Sequence, residues 1–395
     1  MDPLRNPYTP NAGAPPRFLA GRGTEVEDFR TLLVRLGRGY TEQSMIVTGL
    51  RGVGKTVLLG EFGKVAEAEG WVVVQAEVSK STSFGPQMAN LARRALLQIS
   101  PKLRWGERAR AAAAVLTSFS LSVQPDGTLL AGLDVEPDYG RADSGNLNDD
   151  LADVFEAIGA AAKEQGRGVV FLFDEVQFLG HQELEALIGA VHRTVQRQLP
   201  ITFAGAGLPS LPGLAGEAKT YAERLFRFPL IGELPAAAAA EALIEPARAE
   251  GVEFEAEAVA LVFDYAEGYP YFIQEFGRAC WKVASGTVIT SQDVAAAQPL
   301  VEAELDESFF RTRVQRSSPA ELRYMRAMAE LGSGSHRAAD VAQVLGRTSG
   351  QVAPMRARLI SKGLLFTPAY GHAKFTVPQF DRFLRRHMGL ELPSD

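Results

Sequence analysis

The chain has 395 residues, more than a single compact core usually holds, and its size suggests two or three domains. Apolar residues at 46% and charged residues at 22% sit near globular averages, which excludes a disordered chain and a fibrous repeat. The net charge of −6 is unevenly spread: residues 311–395 hold 14 Lys and Arg against 6 Asp and Glu, so a basic module follows an acidic body and a polyanion is expected there.

The start, Met-Asp-Pro-Leu-Arg-Asn, lacks a basic and then apolar leader, and no run reaches the roughly 18 apolar residues that span a bilayer. The expectation is a cytoplasmic protein with no membrane partner. One cysteine, Cys280, excludes an internal disulfide and a multi-cysteine metal site. Near Phe276 and Trp281 it reads as core rather than nucleophile.

Five prolines in the first sixteen residues predict an irregular arm. Apolar residues at Val26, Phe29, Leu32, Leu33 and Leu36 predict a helix over 24–36, and a strand follows over 44–48. A helix over 56–69 and a buried strand over 71–78 continue an α/β alternation, which points to a largely parallel sheet. Residues 83–166 depart from a minimal core and read as an insertion, with helices over 87–98 and 105–116. Alternating residues on either side of Pro125-Asp126-Gly127 then predict a hairpin. A helix over 147–164 leads to Val169-Val170-Phe171-Leu172-Phe173, a run that suits a central strand covered on both faces. A helix over 183–197 and a strand over 201–204 complete a core assigned to residues 1–230. Residues 231–312 read as a strand-free helical lid. From 313 onward, helices over 320–331 and 338–345, a third ending near Lys362, and strands over 364–368 and 373–377 follow the winged helix-turn-helix plan. The fold class is therefore α/β, with a P-loop parallel-sheet core, a helical lid and a C-terminal winged helix.

Gly49-Leu50-Arg51-Gly52-Val53-Gly54-Lys55-Thr56, followed by Val57, fits G-x-x-x-x-G-K-[ST] between a strand and a helix. Its glycines let backbone N–H groups turn toward phosphates, and the helix N-terminus adds a favourable dipole. Lys55 is expected on the β and γ phosphates of ATP and the Thr56 hydroxyl on Mg²⁺. Asp174 and Glu175 end the apolar 169–173 strand at the same sheet edge, Asp174 to hold Mg²⁺ through water and Glu175 to activate the attacking water. His336 and His372 have no ligand partners at metal spacing.

Phe18-Leu19-Ala20-Gly21-Arg22, the phosphate loop, Phe173-Asp174-Glu175-Val176-Gln177 and Gly268-Tyr269-Pro270 together resemble the STAND branch of P-loop ATPases. The chain is similar to bacterial and archaeal members that end in a winged helix, relatives of the AAA+ replication initiators. The resemblance implies that Gly21 and Arg22 lie near the adenine, that the turn ending in Pro270 positions the lid over the nucleotide, and that lid angle differs between ATP and ADP forms. Ala204-Gly205-Ala206-Gly207-Leu208-Pro209 carries no polar first sensor, and Tyr271 stands where initiators place a lid arginine. Tyr221 to Arg227 resembles an arginine-finger segment, with Arg224 the first choice and Arg227 the second. Action in trans would require a homo-oligomer. The alternative is a surface arginine beside Leu225 and Phe226.

In the winged helix, Thr348 and Gln351 fit a capping box, whereas Pro354 favours a helix start near Ala353. Either start turns Met355 and Leu359 inward and leaves Gln351, Arg356, Arg358 and Lys362 as DNA-contact candidates, with Lys374 in the wing. The expected function is Mg²⁺-dependent ATP hydrolysis that drives this domain on double-stranded DNA. The alternative is a signalling switch whose winged helix binds a protein. An inactive binding module is opposed by the intact Lys55, Thr56, Asp174 and Glu175.

Overall fold

A computed structural model describes residues 1–388 apart from Ala12, Lys80, Thr82, 101–104, Gly127, 131, 132 and Asp134. Contacts divide the chain into two compact units, one of residues 22–49 and 55–231, the other of residues 1–21, 50–54 and 232–395.

In the first unit, α1 (Gly23–Gly37) precedes β1 (Ser44–Thr48), α2 (Lys55–Ala68) and β2 (Val72–Glu77). Helices α3 (Phe84–Ile99), α4 (Glu107–Val123) and α5 (Leu147–Glu164) lead to β3 (Val169–Asp174). Then come α6 (His181–Gln196), β4 (Ile201–Gly207), α7 (Leu211–Ala218), α8 (Ala222–Leu225) and β5 (Phe226–Arg227). The five strands form one parallel sheet in the order β2-β3-β4-β1-β5. Strands β1, β3 and β4 are buried throughout, as expected for a sheet covered by crossover helices on both faces. On one face, α3 to α6 share a core with the sheet in which Phe155 stacks on Phe171 at 4.7 Å and Phe173 meets Phe203 at 5.5 Å. Each such fully buried phenylalanine contributes about 1.5–3 kcal/mol. On the other face α2 comes close to the sheet at Gly63, where a Cβ would lie 3.3 Å from Leu172.

The expected hairpin around Pro125 is corrected. Its first arm is the end of α4, and a 3-10 turn over Thr128–Leu130 follows; Gly127 lies outside the described residues. Thr117-Ser118-Phe119-Ser120-Leu121 alternates like a strand but is helical; two of its hydroxyls bond back to the preceding turn, and the buried Ser120 hydroxyl has no partner among the described residues. Thr117 Oγ1 donates to the Ala113 carbonyl at 2.9 Å and Ser118 Oγ to that of Ala114 at 3.4 Å.

In the second unit, α9 (Ala236–Ala249), α10 (Ala256–Ala266), α11 (Pro270–Val283) and α12 (Ser291–Glu304) form a helical region. The expected absence of strands there is corrected by β6 (Glu253–Phe254), which pairs in parallel with β7 (Val288–Ile289). The N-terminal arm is irregular but fastened: Trp281 donates to the Asp2 carbonyl at 2.8 Å, and the Tyr8 hydroxyl donates to the Leu243 carbonyl. Gly277 leaves room for the Tyr8 ring, which a Cβ would strike. Cys280 is fully buried, as expected of a core thiol.

Helix α12 runs without a break into a π-helix (Leu305–Phe310) and α13 (Arg311–Gln315), since the junction residues Leu305 and Arg311 keep right-handed helical angles. After it come α14 (Pro319–Glu330), β8 (His336–Arg337), α15 (Ala338–Val344), α16 (Ser349–Ser361), β9 (Leu365–Phe366), β10 (His372–Phe375) and α17 (Phe380–His387). The small antiparallel sheet has the order β8-β10-β9. Phe310 of the π-helix stacks on Phe380 at 5.5 Å, and Asp306 holds Arg386 and His387 at 2.7 Å each. The preferred start of α16 near Ala353 is also corrected: the helix begins at Ser349, because the Thr348 cap is satisfied by Gln351 at 2.9 Å. Pro354 then sits inside the helix, which buried Val352, Met355 and Leu359 anchor. Among the described residues no helix is long and apolar enough to cross a membrane.

Candidate active site

The phosphate loop leaves the end of β1, where the Gly49 N–H donates to the Gly207 carbonyl at 3.1 Å. It turns through Gly52 and Gly54, at φ +83° and +92°, and enters α2 at Lys55. Only glycine holds these left-handed angles cheaply, so the two glycines of the motif shape the loop. Lys55 and Val57 occupy the first turn of α2, with Lys55 buried. Next to it, Thr56 Oγ1 donates to Asp174 Oδ2 at 2.6 Å, so two motifs far apart in sequence meet in the first unit.

Asp174 is the last residue of β3 and is buried; its Oδ1 accepts from the Glu175 N–H at 2.8 Å. Glu175 has φ +56°, an uncommon angle for a residue with a side chain and of the kind that collects at functional sites. Its carboxylate accepts a hydrogen bond from Gln177 Nε2, and Gln177 Oε1 accepts one from the Leu208 N–H at 3.1 Å. Gly207 makes room for this amide, since a Cβ there would lie 2.5 Å from Gln177 Oε1. The end of β4 therefore supports Glu175 through its backbone and Gln177 rather than through a polar side chain of its own. Nothing in the sequence alone assigns Gln177 a role. Its place two residues after the carboxylate was the available signal.

A hydroxyl and a carboxylate 2.6 Å apart are hard oxygen donors of the kind Mg²⁺ takes, with phosphates and water completing its octahedron. The donor set at Thr56 and Asp174 fits that ion. Among the described residues no group of three His, Cys, Asp or Glu could hold a metal, and a site completed by phosphate does not need one.

In the second unit, Gly268 has φ +74°, and a Cβ there would strike the Leu234 carbonyl; the Leu234 N–H donates to the Gly268 carbonyl at 2.8 Å. Pro270 opens α11, where its missing N–H costs no helical bond. Gly21, at φ +63°, would place a Cβ 2.8 Å from Ala238. Arg22, just before α1, is buried in the first unit.

Arg224 and Arg227 differ in their commitments. Arg227 pairs with Asp28 at 2.8 Å, whereas the exposed Arg224 side chain makes no ion pair among the described residues. In the winged helix, Gln351 is used as the cap of α16 and Arg356 donates to the His372 carbonyl at 3.5 Å. Lys362 is tied to buried Glu321 at 2.7 Å, with Arg358 at 3.9 Å from the same carboxyl group. Lys374 is half-buried beside a cleft that Glu233, Glu267 and Asp381 also line. Of the four basic candidates, Arg358 and Lys362 therefore share a buried carboxylate, while Arg356 and Lys374 make no ion pair among the described residues.

Residues 19–204 match the AAA ATPase domain family, and residues 307–384 match a domain of unknown function, DUF8462. No curated protein matches the chain. Among solved structures, the chain is similar to a Walker-type ATPase of Pyrococcus abyssi, at 15% identity and a TM-score of 0.56 over 93% of this chain and 96% of that one. It is also similar to the Orc1 protein of Aeropyrum pernix, solved in complex with DNA, at 14% identity and a TM-score of 0.43 over 94% of each chain. The RuvB Holliday junction branch migration motor of Thermotoga maritima aligns at 15% identity and a TM-score of 0.44, over 90% of this chain and 92% of that one. Identities this low speak to fold alone.

Proposed function

We propose that the AAA ATPase domain of residues 19–204 binds ATP with Mg²⁺, hydrolyses it, and uses the cycle to reposition the winged helix on double-stranded DNA. The observation that carries the hydrolytic part is the meeting of Thr56 with Asp174, beside a Glu175 held by Gln177. In this reading, Lys55 and the loop amides bind the β and γ phosphates, while Thr56 and Asp174 hold the metal. Bound Mg²⁺ supplies charge neutralisation to the phosphate oxygens. Glu175 accepts a proton from water as its oxygen bonds to the γ phosphorus; the bond to the ADP oxygen breaks, giving ADP and phosphate. Gly21 and Arg22 lie near the adenine, the turn ending in Pro270 positions the lid, and Arg224 completes the site of a neighbouring copy. The domains are a core over 1–230 with an insertion over 83–166, a lid over 231–312 and a winged helix over 313–395. The motifs at residues 18–22, 173–177 and 268–270 support a place in the STAND branch.

Glu175→Gln tests the base: it should retain ATP and not cleave it, and normal turnover would refute the assignment. A second reading, in which the winged helix binds a protein, is favoured by the pairing of Arg358 and Lys362 with Glu321. Fluorescence anisotropy with duplex DNA across a salt series separates the two. Salt-sensitive binding that depends on nucleotide supports DNA, and no binding in any nucleotide state leaves the protein partner.

A further inference from the structure

Three polar side chains gather by the phosphate loop within one unit: among the described residues, Tyr269 and Arg51 each have a buried polar atom without a partner, and Arg313 has no carboxylate partner. Tyr269, from the Gly268–Pro270 turn, is fully buried, yet its hydroxyl makes no hydrogen bond. A Cβ on Gly52 would lie 2.7 Å from that oxygen, so the phenol rests directly on the loop. Arg51, the third residue of the motif, has a buried Nε without a partner, and its side chain runs beside Gly363. Arg313, in α13, places its guanidinium 3.7 Å from the Phe309 ring centroid and donates to the Phe309 carbonyl. Among the described residues no carboxylate pairs with Arg51 or Arg313. Burial, joined by the nearby Arg51 charge, pushes the Arg313 pKa down to about 10.

Two guanidinium groups and a phenol supply hydrogen-bond donors, and neither guanidinium can accept. Like charges placed near each other in partial burial repel, and among the described residues each lacks a carboxylate that would offset its desolvation. An oxyanion would satisfy all three, and guanidinium geometry suits phosphate oxygens in particular. The loop beneath them is the one whose amides bind phosphate in the function proposed above.

We infer that Arg313, with Tyr269 and Arg51, forms a second phosphate clamp that contacts the phosphate chain of bound nucleotide and favours the triphosphate over the diphosphate. Arg313 thereby does from α13 what a lid arginine at position 271 would have done. The inference rests on the phosphate-loop reading, and the extra negative charge of the triphosphate is what the paired guanidinium groups recognise.

The test titrates the full chain and its Arg313→Gln variant with ATPγS and with ADP, alongside the thermal midpoint of the nucleotide-free protein. We expect ATPγS affinity to fall on the order of tenfold and ADP affinity by less, with a nucleotide-free midpoint that is unchanged or higher. A merely structural arginine would instead lower that midpoint and weaken both nucleotides alike, and either this pattern or unchanged affinities would overturn the clamp. Tyr269→Phe, which removes one oxygen and keeps the ring, should lose ATPγS affinity selectively even if Arg313→Gln does not fold; unchanged affinity would again overturn the clamp. Failure of the unaltered chain to bind either nucleotide would overturn the phosphate-loop reading itself, whereas normal binding by it and by both variants would remove the clamp alone.

Discussion

Replacing Glu321 by glutamine separates structural charge from DNA-binding charge in the winged helix. The Glu321 side chain is 2% exposed, with Lys362 Nζ at 2.7 Å and Arg358 Nε at 3.9 Å. It also accepts from the Ser318 N–H at 2.7 Å, a bond that glutamine can keep. What the substitution removes is charge. A hydrogen bond to a charged group is worth about 1.5–3 kcal/mol when buried, but Lys362 is 39% exposed and solvent screens it, so a loss of about 1 kcal/mol is expected. Burial pushes the Glu321 pKa up, but Lys362 and the Ser318 N–H outweigh it, and the folded value lies below the ordinary one. A depressed carboxylate pKa stabilises the fold above the unfolded pKa, and that gain is lost as pH falls through the folded value. The variant should therefore differ from the parent at neutral pH and converge with it only as pH falls through the depressed folded value, below the ordinary carboxylate range. Hydrogen exchange of α14 and α16 amides reads this locally, where a single unfolding transition of a chain with two units would not. On the DNA reading, freeing Arg358 and Lys362 steepens the slope of log affinity against log salt by about 0.9 for each phosphate gained. An intact fold with an unchanged slope would mean that neither side chain reaches phosphate, and the assignment of α16 to the groove would fail.

Gln177→Ala should lower turnover on the order of tenfold to a hundredfold with little change in ATP affinity, because it releases Glu175 without touching the loop. Equal turnover in a coupled ADP-release assay would show that Glu175 is oriented by other groups. Arg224→Ala should leave thermal stability within about 0.5 kcal/mol and reduce turnover only in an assembled oligomer, by roughly a thousandfold. Arg227→Ala loses only an exposed ion pair of about 0.5 kcal/mol and should keep its rate; the opposite ranking would exchange the two roles. Gly277→Ala drives a methyl into the Tyr8 ring and should cost about 1–3 kcal/mol, which limited proteolysis would detect as faster cleavage in residues 1–9.

The phosphate loop and the Asp174-Glu175 pair were legible because their chemistry lies in consecutive residues at the end of an apolar strand. Strands β1 and β3 were legible for a related reason, since a run buried on both faces leaves a continuous apolar signature. Residues 117–123 misled because a helix can hide polar residues by bonding their hydroxyls to its own carbonyls, which imitates the period of a strand. Pro354 misled because a well-made cap six residues earlier outweighs one missing hydrogen bond. The roles of Gln177, Arg313 and Glu321 depend on partners brought together by folding. Formal charge counted from residue 311 onward treats Lys362, Arg386 and Arg385 as free, although each faces a buried carboxylate.

The unbroken run from Ser291 to Gln315 is a single rod, on the order of 35 Å long, that begins in the lid region and ends at the winged helix. A rod transmits torsion, and a flexible linker does not. Because a π turn takes up about one residue more than an α turn, closing the π-helix to α-helical register by losing one residue would leave the parts after it nearly in place, whereas losing one residue from α12 would rotate everything after it by about 100°. The same wide turn carries Phe309, over whose ring Arg313 lies, so an anion gripped by Arg313 pulls directly on the shaft that aims the C-terminal domain.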